Sequence, residues 1–356
     1  MPHTEKAQVK GGGHTTNPGF SSTTGVLIAM SRFSQVTYDA VSQTAVVGAG
    51  LIWDDVYAAL APYNVNVVGG RVPGIGVAGF TLGGGYSWLT NQYGLAIDNV
   101  QAFELVQPNG VIVNVTEASD PDLFFGLKGG GNNFGIVTRF TLKTYPQAQV
   151  WLVVSQLIFY DGPTQPASIF DEFLNIPSLS KDVSSRDFLS LVKAFPVPPV
   201  QRTLYRSVSL VTYTPSLLNT IINETMYWGA RLAPKSAALM TYATEPFLPS
   251  ILSHGAPSAY PPKRSVGLSP FNINYGWTDE NSDGDFHEAA KLSAARILEA
   301  AMAEGQDVAD AAWYPNYSDF DTPIVRLYGA NVPTLKALKA QVDPENVMGL
   351  AGGFKI

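Results

Sequence analysis

GRVPGIGVAGFTLGGGYSWLTNQYGLAIDNV, Gly70 to Val100, is the stretch on which the fold of this 356-residue chain turns. Within it Gly74, Gly76 and Gly79 match the G-x-G-x-x-G spacing of a dinucleotide-binding turn, and Asp98 stands at a suitable distance downstream to bind a ribose. Such a turn works only where it ends a strand and opens a helix whose N-terminus faces the pyrophosphate. Here Pro73 precedes the motif, and Gly83, Gly84 and Gly85 follow so closely that a helix would break within a turn. The better expectation is a long glycine-rich wall, whose backbone N–H groups approach a large ligand because no Cβ intervenes.

Outward from this stretch lie two more glycine clusters, Lys10-Gly11-Gly12-Gly13-His14 and Lys128-Gly129-Gly130-Gly131-Asn132-Asn133-Phe134-Gly135. Each alone reads as an ordinary turn. All three in one chain suit a diphosphate-bearing cofactor held by backbone amides. Glycine is concentrated before residue 140, whereas proline and aromatic residues dominate the middle, which places a boundary near Pro146. Ala45 to Gly48 and Val65 to Val68 read as strands around a helix opened by Asp54 and Asp55 and running to about Leu60. Downstream, Val150 to Phe159 and Ser207 to Tyr213 alternate as strands, while Ser216 to Trp228, Asp285 to Glu304 and Val332 to Val342 have helical periodicity, the last stopped by Asp343-Pro344. A sheet covered by helices fits this order.

Composition narrows the function. Apolar residues make up 46% and charged residues 14%, enough to bury a large core in two substructures. Net charge is -7 with no long basic cluster, which argues against nucleic acid as a partner. No apolar run is long enough to cross a bilayer, so no membrane span is expected. With no cysteine, disulfides, thiolate metal sites and thiol catalysis are excluded. His254 and His287 stand apart without metal-ligand spacing and read as structural or surface residues, so no metal is expected. Sequons at Asn114, Asn223 and Asn316 would suit a secreted chain, but the start MPHTEKAQVK has no signal-like apolar region, which leaves the compartment unassigned.

The segments VKGGGHTTNPGFSST, GRVPGIGVAGFTLGGGYSWLTNQYGLAIDNV, DLFFGLKGGGNNFGIVTRFTLK, WYPNYSD and YGANVPTLKALKAQVDPENVMG, in this order, resemble the fungal berberine-bridge-enzyme-like oxidoreductases of the vanillyl-alcohol-oxidase superfamily. The resemblance implies an α+β fold. Residues 1–146 would form a PCMH-type FAD-binding domain, 147–310 a substrate domain with an antiparallel sheet covered by helices, and 311–356 a segment returning to the FAD domain. It implies FAD bonded covalently through His14, whose neutral ring nitrogen is a suitable nucleophile near neutral pH. Gly11, Gly12, Gly13, Gly76, Gly79, Gly84, Gly131 and Asn133 would contact the cofactor through backbone, with Ile136 and Val137 beside the pyrimidine ring. Some members add a second link through a Cys, at a position held here by Val72. Attachment should therefore be single. A residue near Ile75 shapes oxygen access in the family, and this Ile does not decide between an oxidase and a dehydrogenase.

Oxidation of an alcohol or amine requires a hydride acceptor and a group that takes a proton from the substrate. The motif Trp313-Tyr314-Pro315-Asn316-Tyr317 resembles the family's Y-x-N-Y segment, and Tyr314 is the candidate proton acceptor, with a pKa lowered by neighbours; Tyr93 is a second candidate for the same pocket. Asn316 and Tyr317 would position flavin or substrate. Tyr314 also reads as an ordinary packed tyrosine with a satisfied hydroxyl. Along Phe271 to Trp277, Asn272 and Asn274 alternate with apolar residues, so one face of that strand should line the substrate cavity, and no acidic base occupies it. The implied activity is oxidation of a C–O or C–N bond of a small organic molecule, with ring closure as a variant, in fungal secondary metabolism and with O2 or another electron acceptor. A carbohydrate oxidase is the alternative substrate class, and an inactive remnant of the flavoprotein fold the alternative function.

Family members carry a secretion signal and a strand-helix-strand unit before the GGGH loop, whereas this sequence has nine residues before Lys10. Strands lacking those partners would leave open sheet edges and an uncovered cavity. The sequence as given is therefore expected to bind FAD poorly and a longer form to be fully flavinylated. Equal bound flavin per chain in the two forms would refute this.

Overall fold

The structure is a computed structural model that describes residues 6–147, 150–152, 166–177, 184–194 and 202–356. Strand alternation builds the first sheet. Five antiparallel strands run in the order Val36–Asp39, Thr44–Gly48, Ile136–Lys143, Val100–Val106 and Ile112–Val115. Val47 pairs with Phe140, and Phe140 with Phe103, so one row of fully buried side chains crosses three strands. The helix Trp53–Leu60 packs nearby, with Trp53, Val56, Tyr57 and Leu60 buried at the spacing of one helical face and Asp54 and Asp55 in its first turn. The strand expected over Val65 to Val68 is shorter: Val65–Asn66 pairs with Tyr145–Pro146, and Val67 and Val68 pass into the core without a ladder. Ala7–Lys10 pairs in parallel with Val26–Ala29, whose Val26, Leu27 and Ile28 face water.

A second, three-stranded antiparallel sheet sets Ser269–Trp277 between Arg202–Leu210 and Ala237–Ala243. Period-two alternation sends Phe271, Ile273, Tyr275 and Trp277 to the face covered by the helices Pro215–Leu232 and Asp283–Ala303. There Trp277 stacks on Phe286 with ring centroids 4.6 Å apart. The first helix extends beyond its expected span at both ends, the second starts two residues early and stops one residue short, and Thr214 caps the first by accepting the Leu217 N–H at 3.1 Å. The strand expected to reach Tyr213 ends at Leu210, because the backbone N–H of Val211 turns aside to the Gln306 side chain at 2.9 Å. Helix Val332–Val342 coincides with its expected span. Of the expected strand Val150 to Phe159, only Val150–Leu152 lies among the described residues. The architecture is α+β.

Among the described residues the apolar side chains form two cores. Phe188, Leu191, Val192, Ile251, Leu252 and Tyr260 join the first core, as do Tyr314, Leu327, Tyr328 and Leu335 from the C-terminal segment. The glycine motif does open a helix, Val77–Leu82, but it ends after six residues at Gly83. Asp98, the residue at ribose-binding distance, is fully buried in an ion pair with Arg264 at 2.7 Å and accepts the Leu95 N–H at 3.0 Å. Its side chain is buried in that pairing and is not part of the cavity lining, which removes the dinucleotide reading of that motif. Removing one member of a buried pair leaves the other charge uncompensated. Arg264→Ala should lower the unfolding free energy by roughly 3–5 kcal/mol in chemical denaturation; a loss below ~1 kcal/mol would mean that Asp98 finds water.

Candidate functional site

A cavity of about 870 Å³ lies where the glycine loops, the second sheet and the C-terminal segment converge. That is near the upper end of the roughly 300–1,000 Å³ usual for small-molecule sites. Its first wall depends on missing side chains. A Cβ on Gly12 would fall 2.5 Å from the Gly76 Cα, and one on Gly76 would fall 2.6 Å from the Gly12 nitrogen. The two glycine motifs therefore meet backbone to backbone, an approach no other residue type permits. Val77 N–H donates to Leu51 O at 2.9 Å and Trp53 N–H to Ile75 O at 2.9 Å, which fixes the second loop on the first core. Gly11, Gly12, Gly13, His14, Gly76, Gly79, Gly131, Ile136 and Val137 all line this cavity.

The turn Pro315–Tyr317 brings Tyr314, Asn316 and Tyr317 to the same cavity. Asn316 donates through Nδ2 to the Tyr314 hydroxyl at 2.9 Å and to Phe80 O at 3.1 Å. The Tyr86 N–H also donates to the Tyr314 hydroxyl, at 3.4 Å. Burial nevertheless dominates: the Tyr314 pKa is pushed up to about 12, although Asn316 and Arg71 oppose the rise. This reverses the lowered pKa expected from sequence. Tyr317 lies within a polar cluster that sequence reading missed. Arg71 donates to both Glu245 oxygens, at 3.0 and 2.9 Å, and to the Tyr317 hydroxyl at 2.5 Å, which in turn donates to Glu245 at 2.9 Å. Arg71 and Glu245 are 174 residues apart, and both line the cavity.

The second sheet supplies the cavity floor. Asn272 and Asn274 line it as expected, beside Tyr205, Thr241 and Leu239. Three polar atoms there lack a hydrogen-bond partner, Ser207 Oγ, Asn272 Oδ1 and Asn274 Oδ1, each of a kind whose burial unpaired costs about 1–3 kcal/mol. No carboxylate stands on Phe271 to Trp277 itself, but Glu245, just past the neighbouring strand, brings one to the cavity.

Three expected site residues stand elsewhere. Tyr93 is not part of the lining; its ring stacks on Tyr145 at 3.6 Å. Gly84 lies behind the wall, where a Cβ would meet the Tyr260 ring at 2.8 Å. Asn133 also acts from behind, donating to Gly130 O at 2.8 Å and Phe354 O at 3.1 Å. Arg71 sits inside the glycine stretch that decided the fold, and its charge there was the available signal; Glu245 belongs to no motif.

The cradle of backbone at Gly12 and Gly76 and the imidazole beside it fit a flavin dinucleotide. His14 is accessible to the cavity, and the surrounding protein lowers its pKa by desolvation, which favours the neutral ring. Val72 is in the wall and offers no thiol. Among the described residues no helix is long and apolar enough to cross a membrane, and no group of side chains could hold a metal ion.

Fold and site together suit a flavoprotein, with an antiparallel sheet facing a glycine-lined cavity. A model of the FAD binding domain matches residues 3–116, and a berberine and berberine-like model matches residues 313–351. The chain is 30% identical to the FAD-dependent monooxygenase yanF of Aspergillus niger over 96% of its own length and 67% of that protein's. It belongs to this family of FAD-linked oxidoreductases. It is also 38% identical to an uncharacterised FAD-linked oxidoreductase of Arthroderma benhamiae, over 54% of this chain and 47% of that one. The chain thus spans about half to two thirds of the length of these relatives. Among solved structures, 6-hydroxy-D-nicotine oxidase from Arthrobacter nicotinovorans superposes with a TM-score of 0.78 at 19% identity, covering 96% of this chain and 85% of that one.

The loop that carries Tyr314, Asn316 and Tyr317 is latched at its far end. His287 Nδ1 lies 2.7 Å from Asp319 Oδ2, and Arg206 Nη1 lies 2.6 Å from Asp321. His287 is therefore paired rather than isolated. The bond to Asp319 raises its pKa against the opposing effect of burial. A raised folded value means that the latch contributes fully below the ordinary imidazole pKa of about 6.5 and loses that contribution as pH rises through the folded value. The melting temperature of the wild type should therefore fall relative to His287→Gln between roughly pH 5.5 and 8.5. Parallel pH profiles would show that the contact does not titrate.

Proposed function

We propose that this protein is an FAD-dependent oxidoreductase that oxidises a C–O or C–N bond of a small organic substrate, with FAD attached singly through His14. The observation that carries this reading is the backbone contact of the GGGH and GIG loops at the wall of a cavity that also holds Tyr314, Asn316, Tyr317 and Glu245. The backbone N–H groups of Gly11, Gly12, Gly13, Gly76, Gly79 and Gly131 would hold the cofactor, with Gly84 and Asn133 buttressing them and Ile136 and Val137 along the ring edge. FAD, when bound, supplies a hydride acceptor.

The chain's own residues divide the remaining work. A general base is most effective with a pKa near the operating pH. Tyr314, at about 12, is protonated there, so we assign it to orienting the reacting oxygen or nitrogen. Its hydroxyl oxygen already accepts two N–H groups, which leaves its O–H to point at a ligand. Glu245 is the carboxylate of the cavity, held ready by Arg71 and by the Tyr317 hydroxyl, and we assign it to receive the substrate proton. A place in fungal secondary metabolism, and O2 or another molecule as electron acceptor, rest on family analogy.

The test is a visible spectrum before and after acid precipitation, for the wild type and His14→Ala, each purified with excess FAD present. Whatever flavin the wild type takes up, its yellow colour should stay with the wild-type pellet and leave that of the variant. Colour lost from both would refute the covalent link. A colourless but folded wild type would favour a non-catalytic binding protein that retains the fold.

A further inference from the structure

Asn272 and Asn274 stand two residues apart on Ser269–Trp277, so their side chains leave the same face of the sheet about 7 Å apart. Both line the cavity, Asn272 is only 7% exposed, and Oδ1 of each amide is buried without a hydrogen-bond partner. Their neighbours do not supply one. In register Asn272 lies between Ser207 and Ala243, and Asn274 between Tyr205 and Thr241. Ala243 has no polar group, the Ser207 hydroxyl is itself unpartnered, and the Thr241 hydroxyl turns to the Asn274 backbone carbonyl at 3.4 Å. Native proteins leave few buried polar groups unpaired, and a ligand is one way to complete them.

We propose that Asn272 and Asn274 form a specificity pair that binds two hydroxyl groups of a neutral substrate, one at each amide; this rests on the cavity being the substrate site of the flavoenzyme. An amide oxygen accepts, so the matching group must donate, which a hydroxyl does and an ether or ketone does not. A carboxylate substrate brings acceptors only. Phe80, Trp88, Tyr205 and Tyr317 line other parts of the cavity and suit a flat apolar body between the hydroxyls. The same hydroxyl chemistry could come from a hydroxylated aromatic or from a sugar.

The test is calorimetric titration of flavin-containing protein with 2,6-dihydroxynaphthalene, its dimethyl ether and cellobiose, using the wild type, Asn272→Leu and Asn274→Leu. The wild type should bind the diol at least ~10-fold more tightly than the ether, since a site built to pair with a hydroxyl rejects its analogue. Each variant should bring that ratio down by roughly tenfold while melting no lower than the wild type, because leucine removes an unpaired buried atom. Asn272→Ala serves if the leucine variant does not fold. Cellobiose binding that depends on both asparagines supports the pair and assigns its hydroxyls to a sugar. An unchanged ratio, a wild-type preference for the ether, or a lowered melting temperature with equal loss of both probes overturns it. Wild-type protein that takes up no flavin overturns the parent reading instead, and is seen in the spectrum before any titration.

Discussion

The contact between the Gly12 and Gly76 backbones constrains everything around the cavity. One loop leaves the short strand Ala7–Lys10, and the other leads into the helix Val77–Leu82. Their approach is closer than any Cβ allows, so no side chain of either position intrudes on the wall. At those two positions the surface offers backbone rather than side chain, with the His14 ring beside it, which suits an anionic, extended cofactor. The same rule acts at Gly83, where a Cβ would fall 2.1 Å from Asn316 Oδ1, and so brings the C-terminal turn against the helix end.

With the wall fixed, charge ties the distant segments together. Arg71 from the glycine stretch, Glu245 from beyond the second sheet and Tyr317 from the C-terminal turn share one hydrogen-bonded cluster. Three regions far apart in sequence thereby hold a single carboxylate beside the cavity. Such a cluster contributes little net stability once desolvation is subtracted, but breaking it leaves a buried charge unpaired. Its value is positional. The His287 and Arg206 latches on Asp319 and Asp321 hold the same turn from outside. The floor shows the opposite economy: the unpaired amides of Asn272 and Asn274 sacrifice stability in a place where a substrate can restore it.

The sequence by itself determined what local rules govern. Helix Trp53–Leu60 follows from its first-turn acids and apolar spacing, helix Val332–Val342 from its period and the Asp343-Pro344 stop, and the glycine clusters from the backbone freedom they confer. The ordered motifs then marked the family. Only the tertiary structure decided which of those residues share a cavity and in what state. By sequence Tyr93 and Tyr314 are both candidates for one pocket, yet Tyr93 stacks on Tyr145, whereas Tyr314 is buried against Tyr86 and Asn316. The raised Tyr314 pKa arises from burial, while the Asp98–Arg264 and Arg71–Glu245 pairs each join side chains more than 150 residues apart, 166 and 174 respectively. Electrostatics and burial are properties of the three-dimensional neighbourhood, and no periodicity along one chain encodes which distant charge will fill it.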